Sequence, residues 1–232
     1  MASDCSPAPS GLRPTFPCAG ADLAAARACE QSVFGRRFGN SADELSEAYG
    51  AYEASTSFGG VLRPDGTAVG AVRLIRPGPR PVKTLSDAAG PPWSLCRDVV
   101  GPLDGADTWD VASFAVDSVA AGADRRIVML LLSVVFGAFR DNDVTGMVAI
   151  LDGVARRALG GLGVLMLDLP GALPAPYLGS RSSVPVHRRL PDLHARHAED
   201  FPDLHRQVFH GQDIEGVDAA GSAPGSFVLT SV

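Results

Sequence analysis

The chain has 232 residues, enough to bury a full core, and its size suits one domain with short appendages. Apolar residues make up 46% and aromatics 6%, ordinary for a soluble globular protein, and no apolar run is long enough to span a membrane. A net charge of −6, with Lys83 the only lysine, supplies no basic stripe to displace counterions, which argues against a nucleic-acid partner. Cys5, Cys18, Cys29 and Cys96 share no metal-like spacing. The first twenty residues lack a basic start followed by an apolar run, so a cytoplasmic protein without disulfides is expected.

Residues 1–20, rich in Pro, Ser and Gly, read as a mobile N-terminal segment. Asp22 caps a helix through Leu23, Ala26, Cys29 and Val33, and Ser41 or Asp43 starts a second carrying Leu45, Ala48, Tyr49 and Tyr52. Two strands, 55–62 and 67–75, flank a hairpin turn at Arg63, Pro64, Asp65 and Gly66. Residues 76–92 form a long proline-rich loop, of the length that binding loops and lids have.

The stretch 107–139 organises the rest. Strict alternation puts Trp109, Val111, Ser113 and Ala115 on one face of a strand, and Asp110, Ala112, Phe114 and Val116 on the other. The strand breaks at Ala120, Ala121 and Gly122, passes Arg125 and Arg126, and enters thirteen uncharged residues, 127–139, a buried core helix. Strand, small-residue turn and helix start, with two arginines, suit a diphosphate: free amide groups and a positive dipole end converge there. Without an anion, Arg125 and Arg126 are a solvated first turn whose charge opposes the dipole.

A strand at 146–151, a helix capped by Asp152 and a strand at 164–169 follow, giving an α/β domain over 21–215. Residues 184–190 read as a last strand, and 191–210 as a helix interrupted at Pro202. The segment 216–232 reads as loose, with Phe227 able to dock.

Three segments carry a resemblance to the GCN5-related N-acetyltransferase fold, and within it to the acyl-homoserine-lactone synthases and long-chain N-acyl amino acid synthases. VGAVRLI (69–75) is similar to that group's Gly-x-x-Arg-Leu strand. KTLSD (83–87) stands where it has a loop closing on the acyl chain, and WDVASFAVD (109–117) resembles its Trp-Glu-Leu-Ser-Arg-Phe-x-Val strand. The resemblance implies a mixed central sheet with helices on both faces. It implies an N-acyltransferase with no permanently bound cofactor, taking acyl-coenzyme A or an acyl carrier protein as thioester donor and a small-molecule amine as acceptor. Arg73, Asp110 and Phe114 fall on matched positions, Leu85 on the acyl-chain loop, and Glu53 on an acidic cluster that is only thinly represented. Ser113 stands where the synthases have arginine, which makes S-adenosylmethionine a doubtful acceptor.

On that reading Asp110 is the candidate general base, or else a strand-end carboxylate. Arg73 is either a substrate-carboxylate clamp or an outward-facing strand arginine. Amides near Phe114 and Val116 would polarise the thioester carbonyl, and Gly122, Arg125 and Arg126 would hold the donor's phosphates. All five histidines lie within 187–210; because Pro202 breaks their register, no metal site is expected. Arginines in the same region are nearly cancelled by Asp192, Glu199, Asp200 and Asp203, leaving a weak surface for an acidic carrier protein. The rivals are a non-catalytic relative that binds an acyl thioester or a protein, which Ser113 favours, and a zinc-dependent hydrolase using the histidines.

Overall fold

In the computed structural model, which describes residues 11–121, 124–215, 217 and 224–229, the chain joins the sheet earlier than its composition suggests. Strand β1 (Arg13–Thr15) pairs antiparallel with β2 (Thr56–Leu62), so part of the expected N-terminal tail is an edge strand. Residues 1–10, and Gly122 of the predicted phosphate turn, lie outside the described residues.

Local signals account for the first elements. Helix α1 (Gly20–Phe38) stops at Gly39, whose φ of 78° is the left-handed cap that glycine adopts without strain. Helix α2 (Ala42–Gly50) begins on a capping box: Ser41 Oγ accepts from the Glu44 amide, and the Glu44 carboxylate accepts from the Ser41 amide. The hairpin joins β2 to β3 (Ala68–Ile75) across the turn that Pro64, Asp65 and Gly66 predict.

The long loop contains more structure than its prolines imply. Lys83–Ala89 is helix α3, because Asp110 accepts the Thr84 amide, one of those a helix start leaves unpaired. A short helix α4 (Arg97–Val100) leads into β4 (Thr108–Val116), α5 (Ser118–Ala121) and α6 (Arg125–Asp141). Helix α6 can be apolar over most of its circumference because both sides are covered. It lies on β2 and β3, and its outer side meets a later helix and Phe227. At Gly137 the Phe227 ring comes so close that an added Cβ would stand 2.4 Å from it, so this end of the C-terminal segment is docked, not loose.

Then come β5 (Gly146–Asp152), α7 (Gly153–Gly160), β6 (Leu167–Asp168), β7 (Ala175–Tyr177), β8 (Ser180–Arg189), α8 (Leu190–Asp200) and α9 (Pro202–His210). The strand expected at 164–169 is reduced to two residues, because Val164 and Met166 turn into the core. Sheet order is β1-β2-β3-β4-β5-β8-β6, with β7 also on β8. Only the β4–β5 pair is parallel among these strands, so the sheet is mixed, with helices on both faces as the sequence predicts. No helix among the described residues is long and apolar enough to cross a membrane.

One irregularity sets up the site. Opposite Arg73 and Leu74 of β3, strand β4 pairs through Ser113 and Val111, so Ala112 is an extra residue. This bulge breaks the strict alternation expected of β4. Trp109, Val111, Phe114 and Val116 pack toward α6, while Asp110, Ala112 and Ser113 face the side of α1, α2 and α3.

Candidate active site

Strands β4 and β5 pair only over Thr108–Asp110 and Gly146–Val148. Beyond Asp110 they part, and among the described residues the β5-facing backbone groups of β4 have no ladder partner. The gap holds a cavity of about 250 Å³. Its walls come from both faces of the sheet: Leu132 and Val135 of α6 and Ala155 of α7 on one side, Phe34 of α1, Tyr49 and Tyr177 on the other. Two consecutive arginines of α1 tie down the parted strands. Arg36 pairs with Asp117 just past β4 at 2.7 Å, and Arg37 pairs with Asp152 at the end of β5 at 3.1 Å. Asp152 also caps α7 through the Val154 and Ala155 amides.

The cavity is apolar apart from a few groups, and two of its hydroxyls are backed by carboxylates. Ser113 donates to Glu30 of α1. Glu30 also accepts from Arg73, Nε to Oε1 at 3.0 Å and Nη2 to Oε2 at 2.6 Å, with both side chains almost fully buried. The Arg73 guanidinium is sandwiched, 4.2 Å from the Tyr49 ring centre and 4.6 Å from that of Phe58. Tyr177 donates to Asp87 Oδ2 at 2.6 Å, and Lys83 reaches the same oxygen at 2.7 Å. Burial, and next the Asp87 charge, raise the Tyr177 hydroxyl far above the usual phenol range.

Ser113, Phe114 and Val116 therefore line the cavity, and the other expected residues that the structure describes do not. Asp110, expected as the base facing the amine, is fully buried on the α3 side. Its oxygens accept from the Thr84 amide at 2.5 Å and from the Thr84 hydroxyl at 2.9 Å. Arg73 is neither outward-facing nor open to a substrate carboxylate, since Glu30 occupies it. Glu53 sits at the surface, paired with Arg27 and 3.7 Å from Arg73 Nη1. Leu85 packs into the core with Leu45, Tyr49 and Val82. The start of α6 is partly closed by its own chain: Asp124 accepts the Arg126 amide and grips its guanidinium, which also donates to the Glu215 carbonyl at 2.9 Å. Arg125 is exposed and pairs with no described residue.

Burial pushes the Asp110 carboxyl up to about 7, against the opposing hydrogen bonds from Thr84. The unfolded chain loses that proton at about 3.9, so between the two values the folded state holds a proton that the unfolded state has released. The group's stabilising contribution is thus complete below about pH 4 and is lost as pH rises through about 7. Asp110→Asn is expected to flatten this part of the stability-against-pH curve; denaturant midpoints from pH 4 to 8 that keep the wild-type slope would contradict it.

Sequence patterns do not single out Glu30, Tyr49 or Tyr177 as site residues. Glu30 carries a readable signal all the same, a carboxylate inside the stripe of Ala26, Cys29 and Val33 on α1. The histidines lie closer together than their spacing in the sequence suggests. Pro202 does interrupt the helix, but α9 folds back against α8, so that His194, His205 and His210 converge. They do not line the cavity.

No protein-family model and no curated protein matches the sequence. Among solved structures the fold matches that of the N-acyl amino acid synthase FeeM from uncultured soil microbes. The TM-score is 0.61 at 14% identity, covering 79% of this chain and 93% of that one. The coenzyme A-dependent acyl-homoserine lactone synthase BjaI aligns with a TM-score of 0.55 at 16% identity, over 82% of this chain and 88% of that one. The acyl-homoserine lactone synthase LasI gives 0.55 at 17%, over 77% and 88%. The chain has the GCN5-related N-acetyltransferase fold that the three sequence segments imply.

Proposed function

We propose that the protein is an N-acyltransferase that moves an acyl group from a coenzyme A or carrier-protein thioester to an amine by direct attack. The observation that carries this reading is the apolar cavity in the wedge where β4 leaves β5. An unpaired strand edge offers amide groups to a carbonyl, and the walls behind it suit a hydrocarbon chain. The fold shared with FeeM, an N-acyl amino acid synthase, and with the acyl-homoserine lactone synthases BjaI and LasI supports the reading.

In this mechanism the acyl chain lies between α6, α7 and Phe34. The thioester carbonyl meets the free edge of β4 near Phe114 and Val116. The neutral amine attacks the carbonyl carbon, a C–N bond forms, and the C–S bond breaks. One proton must leave the amine and one must reach the departing sulfur. The Ser113 hydroxyl, backed by Glu30, takes the amine proton, while the Tyr177 hydroxyl is committed to Asp87 and the departing thiolate takes its proton from water. Asp110 positions Thr84 and α3 rather than touching the reacting atoms. Arg125 takes the donor's phosphates, with Arg126 joining if it leaves Asp124.

Thiol release from acyl-coenzyme A of two to sixteen carbons, with a panel of amines and amino acids and mass detection of the N-acyl product, tests the reading. Turnover is expected to favour medium or long chains. Saturable binding of acyl-coenzyme A or acyl carrier protein without product would favour a non-catalytic acyl-binding role instead.

A further inference from the structure

We propose that His194, His205 and His210 bind a divalent transition-metal ion of the zinc class, which fastens α8 to α9 on the outer side of α6. One ring nitrogen from each of the three lies within 4.8 Å of the others. His205 Nε2 and His194 Nδ1 are already 2.9 Å apart. Tetrahedral zinc with Zn–N bonds of about 2.0–2.1 Å holds its nitrogens roughly 3.3 Å apart. The rings therefore need only small side-chain rotations, not backbone movement.

The donor set selects the ion. Three imidazoles with no carboxylate among them suit zinc, cobalt, nickel or copper, and not calcium or magnesium, which take oxygen ligands. All three side chains are half-buried, so an ion can reach them from solvent. Packing explains part of the arrangement: His205 stacks on Phe209 at 4.8 Å, and His194 meets the same ring edge-on at 4.4 Å. Packing does not explain His210, whose ring nitrogens have no hydrogen-bond partner among the described residues although both other rings stand within 5.6 Å. The fourth position is left to water or an anion. Arg140 of α6 has its Nη2 buried without a hydrogen-bond partner among the described residues.

Such a site has a structural consequence. Phe209, held between His194 and His205, stacks on Phe136 of α6 at 4.1 Å, and Phe136 lines the cavity. An ion at the histidines would stiffen the layer that backs the cavity wall while staying outside the cavity. The inference stands on the histidine geometry and is independent of the acyl-transfer reading.

The test uses the full chain, stripped with EDTA and dialysed. Zinc titration against a chromophoric chelator is expected to show one equivalent bound, with a rise in the unfolding midpoint that EDTA reverses. Cobalt should give the visible d–d bands of a tetrahedral site. His205→Gln and His210→Gln should each weaken zinc binding about 10-fold or more, and abolish the cobalt bands, while His187→Gln on β8 leaves both unchanged. Far-UV circular dichroism of the zinc-free variants separates ligand loss from misfolding. No stoichiometric zinc, or binding that survives in folded His205→Gln and His210→Gln, would overturn the site.

Discussion

Glu30→Ala is expected to lower the free energy of unfolding by about 3–5 kcal/mol, because it strands a buried charge without its partner. Arg73 is 4% exposed and gives its Nε and Nη2 to Glu30. Without Glu30 its charge stays buried between the Tyr49 and Phe58 rings. Glu53, half-exposed and 3.7 Å away, compensates little. Ser113 would also lose its acceptor. Chemical denaturation measures the loss, and the companion Glu30→Met/Arg73→Met should recover much of it, because replacing both charges removes the stranded one. A single variant within about 1 kcal/mol of wild type, on the order of an exposed ion pair, would mean that the pair is solvated.

Ser113→Ala is expected to reduce kcat about 10²-fold, the size of effect that a positioned proton-transfer group contributes. The substitution removes one hydroxyl from the cavity wall, leaves the Glu30–Arg73 pair intact and should cost little stability. Asp110→Asn should lower kcat less than about 10-fold, since its carboxylate touches Thr84 and not the cavity; a loss of about 10²-fold or more would restore Asp110 as the base. Rates of both variants, measured with the best thioester and amine, decide between the two carboxylates.

What the sequence disclosed is local. The helix start at Ser41, the hairpin turn and the uncharged run of α6 are each written in a few neighbouring residues, and each element formed where those residues put it. The resemblance of three short segments was enough for the fold. What stayed hidden depends on residues far apart in the chain. The bulge at Ala112 arises from register between β3 and β4, and it places Ser113 beside Glu30, a residue 83 positions earlier. Alternation alone sets Ser113 opposite Asp110; the extra residue brings both to one face but leaves only Ser113 on the cavity. Strand β8 enters between β5 and β6 after a long excursion, which periodicity does not foresee. Helical register keeps the histidines apart, whereas their meeting results from the fold-back at Pro202. The phosphate turn looks open in sequence because Asp124 reads as one more polar residue before α6, and its grip on Arg126 emerges only in three dimensions.

In the proposed mechanism an acyl thioester sits in the wedge between β4 and β5. A crystal structure with a non-hydrolysable long-chain acyl-coenzyme A analogue tests it most directly. The acyl chain is expected between α6, α7 and Phe34, with the carbonyl oxygen within hydrogen-bond reach of β4 amides near Phe114 and Val116. An acyl chain bound elsewhere, or a wedge that stays empty at saturating analogue, would contradict it.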